Sequence, residues 1–211
     1  MSEVQGAGKV ARFSAATLVE SGAIALPPRI RPLETTWRIA GRAFTVDLAG
    51  GHNIWLHHAV AAATPGDVLV AAVAGDPDFG YWGEILATAA RVRGLAGLVI
   101  DGCVRDRDEL VEIGFPVFAR GLCIRGTGKD TSVGGLGRPV TLGDVTVRPG
   151  DLVVGDADGL VVAAADALDG IAARAADRVS AEAAILDRIA GGESTVDIYG
   201  FARVAAPRVG A

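Results

Sequence analysis

The sequence predicts a single α/β domain, residues 1–211, built on a mixed sheet, and three observations point there. Apolar runs of strand length alternate with helix-patterned segments between residues 37 and 120, which implies a sheet that is at least partly parallel. From Pro139 to Val162 the pattern changes to strand, turn, strand, turn, strand, which reads as an antiparallel addition. A chain of 211 residues is also long enough for one domain to bury most of its apolar surface without disulfide or metal staples.

The elements follow in order. Residues 1–11 read as a mobile leader and residues 12–22 (RFSAATLVESG) as a short helix. Trp37 to Val46 alternates apolar and polar residues with β-branched members, the period of a strand. Asn53 to Ala63 reads as a helix ended by the turn Thr64-Pro65-Gly66-Asp67, and Asp67 to Val73 as a strand. The pattern recurs as a helix from Glu84 to Arg93, a strand from Gly97 to Asp101, a helix from about Asp106 to Ile113 and a strand from Pro116 to Arg120. Residues 166–211 read as a long Ala-rich amphipathic helix, Asp166 to Ile189, stopped by Gly191-Gly192 and followed by a tail.

Composition excludes several classes of function. No apolar run approaches the roughly 20 residues needed to cross a bilayer, and the N-terminal string MSEVQGAGKVARF has no signal-peptide core, so no membrane partner is expected. With only Cys103 and Cys123, a disulfide scaffold is excluded and a reducing, cytoplasmic setting is expected. A net charge of -5 argues against a nucleic-acid partner, which needs a basic face. Of the 20 basic residues only Lys9 and Lys129 are lysines. Lys9 lies in the leader, which leaves Lys129 as the one candidate for imine chemistry and tilts any carbon–carbon bond chemistry towards a metal.

The strongest local constellation is Gly80-Tyr81-Trp82-Gly83-Glu84, then a strand, then Asp101-Gly102-Cys103-Val104-Arg105-Asp106. Both strings fall in loops after strand carboxyl ends, where ligands of α/β sheets collect. Gly80 and Gly83 allow backbone amides to approach an anion, and the helix beginning at Glu84 adds its positive end. Arg105 can grip a carboxylate with two prongs, and Asp106 offers a hard oxygen to Mg²⁺ or Mn²⁺. That pairing suits a 2-oxo acid. Spacing alone equally allows Asp106 to be a helix cap and Arg105 a surface ion pair.

Other candidates read as structural. His52, His57 and His58 could place two metal ligands on a helix face, but packed, hydrogen-bonded histidines are commoner. Gly126-Thr127-Gly128-Lys129 fails the phosphate-loop pattern at both ends, so Lys129 reads as a surface or interface charge. Cys103 reads as a small packed thiol, Asp101 as either a support for the site or a turn former, and Asp156-Ala157-Asp158-Gly159 as an Asx turn.

Glu84, twenty intervening residues and Arg105-Asp106 together resemble the acidic-x20-Arg-Asp signature of the RraA-like family, which includes 4-hydroxy-4-methyl-2-oxoglutarate and 4-carboxy-4-hydroxy-2-oxoadipate aldolases. The resemblance extends through residues 39–46, 65–70, 114–120, 148–151 and 156–159, from about Ser14 to about Val162. It implies a swivelling-domain-like α/β/α layered fold, assembled as a homotrimer or homohexamer. It also implies a divalent-metal-dependent lyase that releases pyruvate from 4-hydroxy-2-oxo acids and decarboxylates oxaloacetate as a side activity. By that resemblance Asp106 binds the cation and Arg105 holds the keto acid and its enolate. Glu84 orders a metal-bound water, and the loop Gly80, Tyr81, Trp82 and Gly83 receives the substrate carboxylate. Some relatives instead inhibit a ribonuclease, so a non-catalytic regulatory binding protein is the alternative, as is another metal-dependent lyase or isomerase. The methyltransferase label carried by some such sequences has no support, because no Gly-rich strand–turn–helix for a methyl donor is present. The chain departs from the family where Ala16-Thr17-Leu18-Val19-Glu20 replaces a Ser-Asp-Ala-Leu string, with Glu20 as a possible substitute acid. The loop from Asp76 to Trp82 is also bulkier than the family's Gly-rich stretch.

Overall fold

The computed structural model describes residues 7–204. Its centre is a run of parallel strands joined by helices: β3 (Ile39–Ala49), α2 (Ile54–Ala62), β4 (Val68–Ala74), α3 (Glu84–Val92), β5 (Gly97–Ile100), α4 (Arg107–Ile113) and β7 (Val117–Ala119). The short helix α1 (Ala15–Glu20) precedes them and starts at Ser14, whose hydroxyl accepts from the Thr17 amide at 3.1 Å. Antiparallel strands complete a mixed, curled sheet. These are β12 (Leu152–Gly155) and β13 (Leu160–Ala163) with β1 (Ile24–Ala25) on one side, and β2 (Arg31–Pro32) beyond β7 on the other. The sheet runs β1-β13-β12-β3-β4-β5-β7-β2.

The antiparallel addition differs from the reading of the sequence. Pro139 to Val162 contains two hairpins rather than one three-stranded ribbon. β10 (Val140–Leu142) and β11 (Val145–Val147) form a separate two-stranded sheet, and only β12 and β13 join the main one. The turn at Pro149-Gly150 divides them, with the Arg148 amide donating to Asp151 at 2.8 Å and the Gly150 amide to Ala43 O at 2.9 Å. β3 is longer than expected because three strands share it: β12 along 39–42, β4 along 43–49, and β9 (Gly134–Leu136) along 46–48.

Alternation along the strands sorts the core. Val46 and Leu48 of β3 face α2, α3 and α4, where Leu56, Leu86 and Leu110 are buried with Trp82 and Phe115. Leu152 and Val154 of β12 face α1 and α5 (Leu168–Ala190), packing on Leu18 and Ile171. Ile39, Ala43 and Val153 point the other way, into the curl, which the β10–β11 hairpin closes with Val140, Leu142 and Val147. The Asx turn is present: the Asp158 amide donates to Asp156 Oδ1, and Asp156 Oδ2 accepts from the Ala15 amide, tying α1 to the sheet. Beyond Ala175 the long helix α5 has no buried residue, and a last helix, α6 (Thr195–Ile198), follows it. No helix among the described residues is long and apolar enough to cross a membrane.

A candidate active site at the strand carboxyl ends

β3, β4 and β5 lie side by side and parallel, so the loops that leave them towards α2, α3 and α4 emerge at one edge of the sheet. A short parallel pair, β6 (Cys103–Val104) with β8 (Gly121–Leu122), holds the third loop in place. A cleft of about 290 Å³ forms there. One wall carries Gly80, Gly83, Arg105 and Asp106, and the other carries Asn53, His57, Thr127 and Lys129.

Asp106 is the sole described non-glycine residue with positive φ, at φ 59° and ψ 46°. Aspartate tolerates this left-handed conformation better than most residues, but it still costs energy, and here it redirects the side chain. Asp106 stands at the N-cap position of α4 yet makes no cap bond. Its Oδ2 instead accepts from the Glu84 amide at 3.1 Å and lies 3.6 Å from Arg105 Nε. The carboxylate is thereby pressed against Gly83, where a Cβ would overlap Oδ2. Gly80 is required for a similar reason, since a Cβ there would meet Cys123 O at 2.6 Å and Arg105 Cδ at 2.9 Å. The helix-cap reading of Asp106 therefore fails, and Arg105 keeps its two terminal nitrogens free of protein acceptors among the described residues.

The loop before α3 separates into backbone and side-chain roles. The Gly80 amide donates to Arg125 O at 2.8 Å and the Tyr81 amide to Cys103 O at 3.1 Å, so neither is free for a ligand. Among the described residues the amides of Gly83, Ile85 and Leu86, which border the cleft, have no protein acceptor, and they are the anion donors this loop retains. The Tyr81 and Trp82 side chains are wholly buried. Tyr81 Oη donates to Asp76 O at 2.5 Å and accepts from the Gly51 amide at 2.7 Å, while Trp82 stacks on Phe115 at 5.7 Å. Neither residue has exposed surface, and of the two only Tyr81 borders the cleft. Glu84 has an exposed carboxylate, and its amide is what holds Asp106.

The opposite wall was missed in the sequence. Lys129 Nζ donates to Asn53 Oδ1 at 2.7 Å, and Asn53 Nδ2 donates in turn to Tyr81 O at 2.8 Å. Lys129 is exposed, as expected, but its position is set by a clamp. The Gly128 amide donates to Gly51 O at 2.7 Å and the Asp130 amide to His52 Nδ1 at 3.0 Å. Local patterns could not show that these distant segments meet. The marker was present all the same, in Lys129 as one of only two lysines in the sequence. His57 faces Lys129, and burial at the cleft wall, followed by the Lys129 and His58 charges, keeps its pKa below the usual histidine value.

The remaining candidates are structural. Asp101 is buried and receives Arg29 through Nε at 2.9 Å and Nη2 at 2.7 Å, and Arg120 Nε at 2.6 Å. Burial pushes its carboxyl up, but the two arginines outweigh this and hold it below the usual range. Asp101 thus pins the chain just before Arg105. Burial and the neighbouring Asp78 push the Cys103 thiol up to about 11, so it stays protonated at neutral pH. Glu20 pairs with Arg178 of α5 and does not line the cleft.

Among the described residues no three His, Cys, Asp or Glu side chains converge as a metal cage. The donor set still fits a hard divalent cation. Asp106 presents Oδ1 without a protein donor, and Mg²⁺ is commonly held by one or two carboxylates with water or substrate completing its shell.

Residues 15–162 match the family model described as RraA-like: Aldolase/RraA. A Halalkalibacterium halodurans protein named "Putative 4-hydroxy-4-methyl-2-oxoglutarate aldolase" is 39% identical over 135 residues, covering 64% of each chain, so the matched stretch is less than two thirds of that relative. Among solved structures, the Streptomyces coelicolor protein RraAS2, described as an unusual member of the RNase ES inhibitor RraA family, is similar at 28% identity. Its TM-score is 0.72, over 84% of this chain and 93% of that one. The RNA-processing inhibitor RraA of Thermus thermophilis is similar at 27% identity and TM-score 0.63, over 70% of this chain and 88% of that one.

Proposed function

The chain belongs to the RraA-like family, and from that premise we propose that it is a divalent-metal-dependent lyase acting on 4-hydroxy-2-oxo acids. The products are pyruvate and a second keto acid or aldehyde, and oxaloacetate decarboxylation is a side reaction of the same site. The observation that carries this reading is the convergence of Arg105 and Asp106 on one small cleft, with the Lys129–Asn53 pair opposite. The free Arg105 nitrogens and the unpartnered amides of Gly83 and Ile85 can hold the substrate carboxylate. Asp106 would hold Mg²⁺ or Mn²⁺, which when bound supplies Lewis-acid polarisation of the 2-oxo group. Retro-aldol cleavage and oxaloacetate decarboxylation both leave an enolate, and the Arg105 guanidinium is placed to stabilise its developing charge. Glu84, exposed at the start of α3, is assigned to ordering water beside Asp106.

Lys129 sits in the cleft, so an imine route has to be tested directly. Its ammonium is hydrogen-bonded to Asn53 and exposed, whereas imine-forming lysines need desolvation to lose their proton. We expect borohydride treatment with pyruvate to leave the chain mass unchanged. A pyruvate adduct on Lys129 would reverse the assignment to a metal.

A homotrimer or homohexamer is part of the same proposal. Leu122 and Ile124 are exposed beside Arg105 and Arg107 in an open groove of about 700 Å³, an apolar surface that a second copy would cover. Light scattering is expected to give three or six chains per particle, and a stable monomer at micromolar concentration would contradict it. The competing reading, a regulator that binds a ribonuclease, is supported by the names of the two solved neighbours.

A further inference from the structure

We propose that His57 is the base that accepts the 4-hydroxyl proton during retro-aldol cleavage, an inference that rests on the lyase reading above. Cleavage needs such a base: as the O–H bond breaks, the oxygen pair forms the carbonyl of the leaving fragment. The C3–C4 bond breaks, and its pair becomes the C2–C3 double bond of the enolate. His57 takes the proton and passes it to water at the cleft mouth, and the enolate takes a proton from water at C3 to give pyruvate.

The ionisable groups of the cleft leave few alternatives. Arg105 is always charged and has no acceptor. Lys129 Nζ is engaged as a donor to Asn53 and Thr127. Asp106 is committed through Oδ2 to the Glu84 amide and Arg105, and is assigned to the cation. His57 lies on α2 in the same cleft, and neither of its ring nitrogens has a protein hydrogen bond among the described residues. The charged or titratable groups around it are Lys129 from the segment before β9, His58 on its own helix, and Arg105 with Asp106 across the cleft. The α3 side of the cleft presents Ile85 and Leu86, which carry no charge, and Glu84 at the start of α3 is exposed outside the cleft lining and assigned to ordering water. Partial desolvation at the cleft wall, then the Lys129 and His58 charges, lower the His57 pKa and so favour the neutral ring, whose lone pair can take a proton.

Oxaloacetate provides the control, because its decarboxylation breaks the C3–C4 bond to release CO₂ and has no hydroxyl to deprotonate. His57→Asn should therefore lower kcat for cleavage of a 4-hydroxy-2-oxo acid by roughly 10²- to 10⁴-fold, the usual range for a lost general base. Mg²⁺-dependent oxaloacetate decarboxylation by the same variant should stay within about threefold of wild type. The wild-type kcat/KM for cleavage should fall as pH drops through the lowered His57 pKa, and this acid limb should be absent from decarboxylation. His57 is exposed, so the variant should melt at the wild-type temperature. Cleavage retained within about threefold, or equal losses in both reactions, would overturn the assignment. A wild-type chain inactive on both substrates would overturn the lyase reading, and this inference with it. Oxaloacetate turnover without cleavage defects in the variant would overturn this inference alone.

Discussion

Replacing Asp106 by Ala and Arg105 by Lys should damage the protein in two distinguishable ways. The first removes the carboxylate that the left-handed backbone aims at Gly83, so Mg²⁺ affinity and pyruvate release should fall together, with partial rescue at high Mg²⁺. The second keeps the charge but loses the planar fork, so Mn²⁺ binding should survive while KM rises and kcat drops. Loss of a single well-placed stabiliser of developing charge costs roughly 10²- to 10³-fold in rate. Pyruvate release from oxaloacetate, coupled to NADH oxidation, measures both variants. If each stayed within about threefold of wild type, under about 0.7 kcal/mol of barrier, the chemistry would lie elsewhere and the ribonuclease-binding reading would be the better one.

The second large effect falls on stability rather than turnover. Trp82 has no exposed surface, stacks on Phe115 and packs with Leu86 and Leu110 behind the site loop. Trp82→Ala should cost about 3–5 kcal/mol, as buried aromatic truncations do. For a chain of this size that lowers Tm by roughly 6–20 °C. The indole Nε1 is buried without a partner, so Trp82→Phe forfeits volume but no hydrogen bond and should be much milder. A rise in KM for Trp82→Phe with Tm unchanged would instead make the indole a substrate contact.

Trp82 also shows where reading the sequence stops. The strands β3, β4, β5 and β7, the helices between them, a partly parallel sheet and the Arg105-Asp106 pair were legible, because hydrophobic periodicity and strand-end position are local properties. The resemblance gave the amides of the Gly80 to Glu84 loop to the substrate carboxylate and was silent on the Tyr81 and Trp82 rings, whose burial follows from the large apolar area such rings gain by packing. Strands such as β1, β2, β6 and β8 span two residues each and exist only through their partners, so no local pattern marks them. The length of β3 is likewise set by β12 and β9. The Asn53–His57–Lys129 wall joins segments more than 70 residues apart through the His52 and Gly128 clamp, and residue type gave the only hint of it.

The most direct test of the central assignment is pyruvate release by the wild-type chain from a panel of 4-hydroxy-2-oxo acids, with Mg²⁺ and then with EDTA. A metal-dependent lyase centred on Arg105 and Asp106 releases pyruvate from at least one of them, stops when the cation is chelated, and resumes when Mg²⁺ or Mn²⁺ is restored. Pyruvate release that EDTA leaves unchanged, or none from any member of the panel at saturating Mg²⁺, would contradict it.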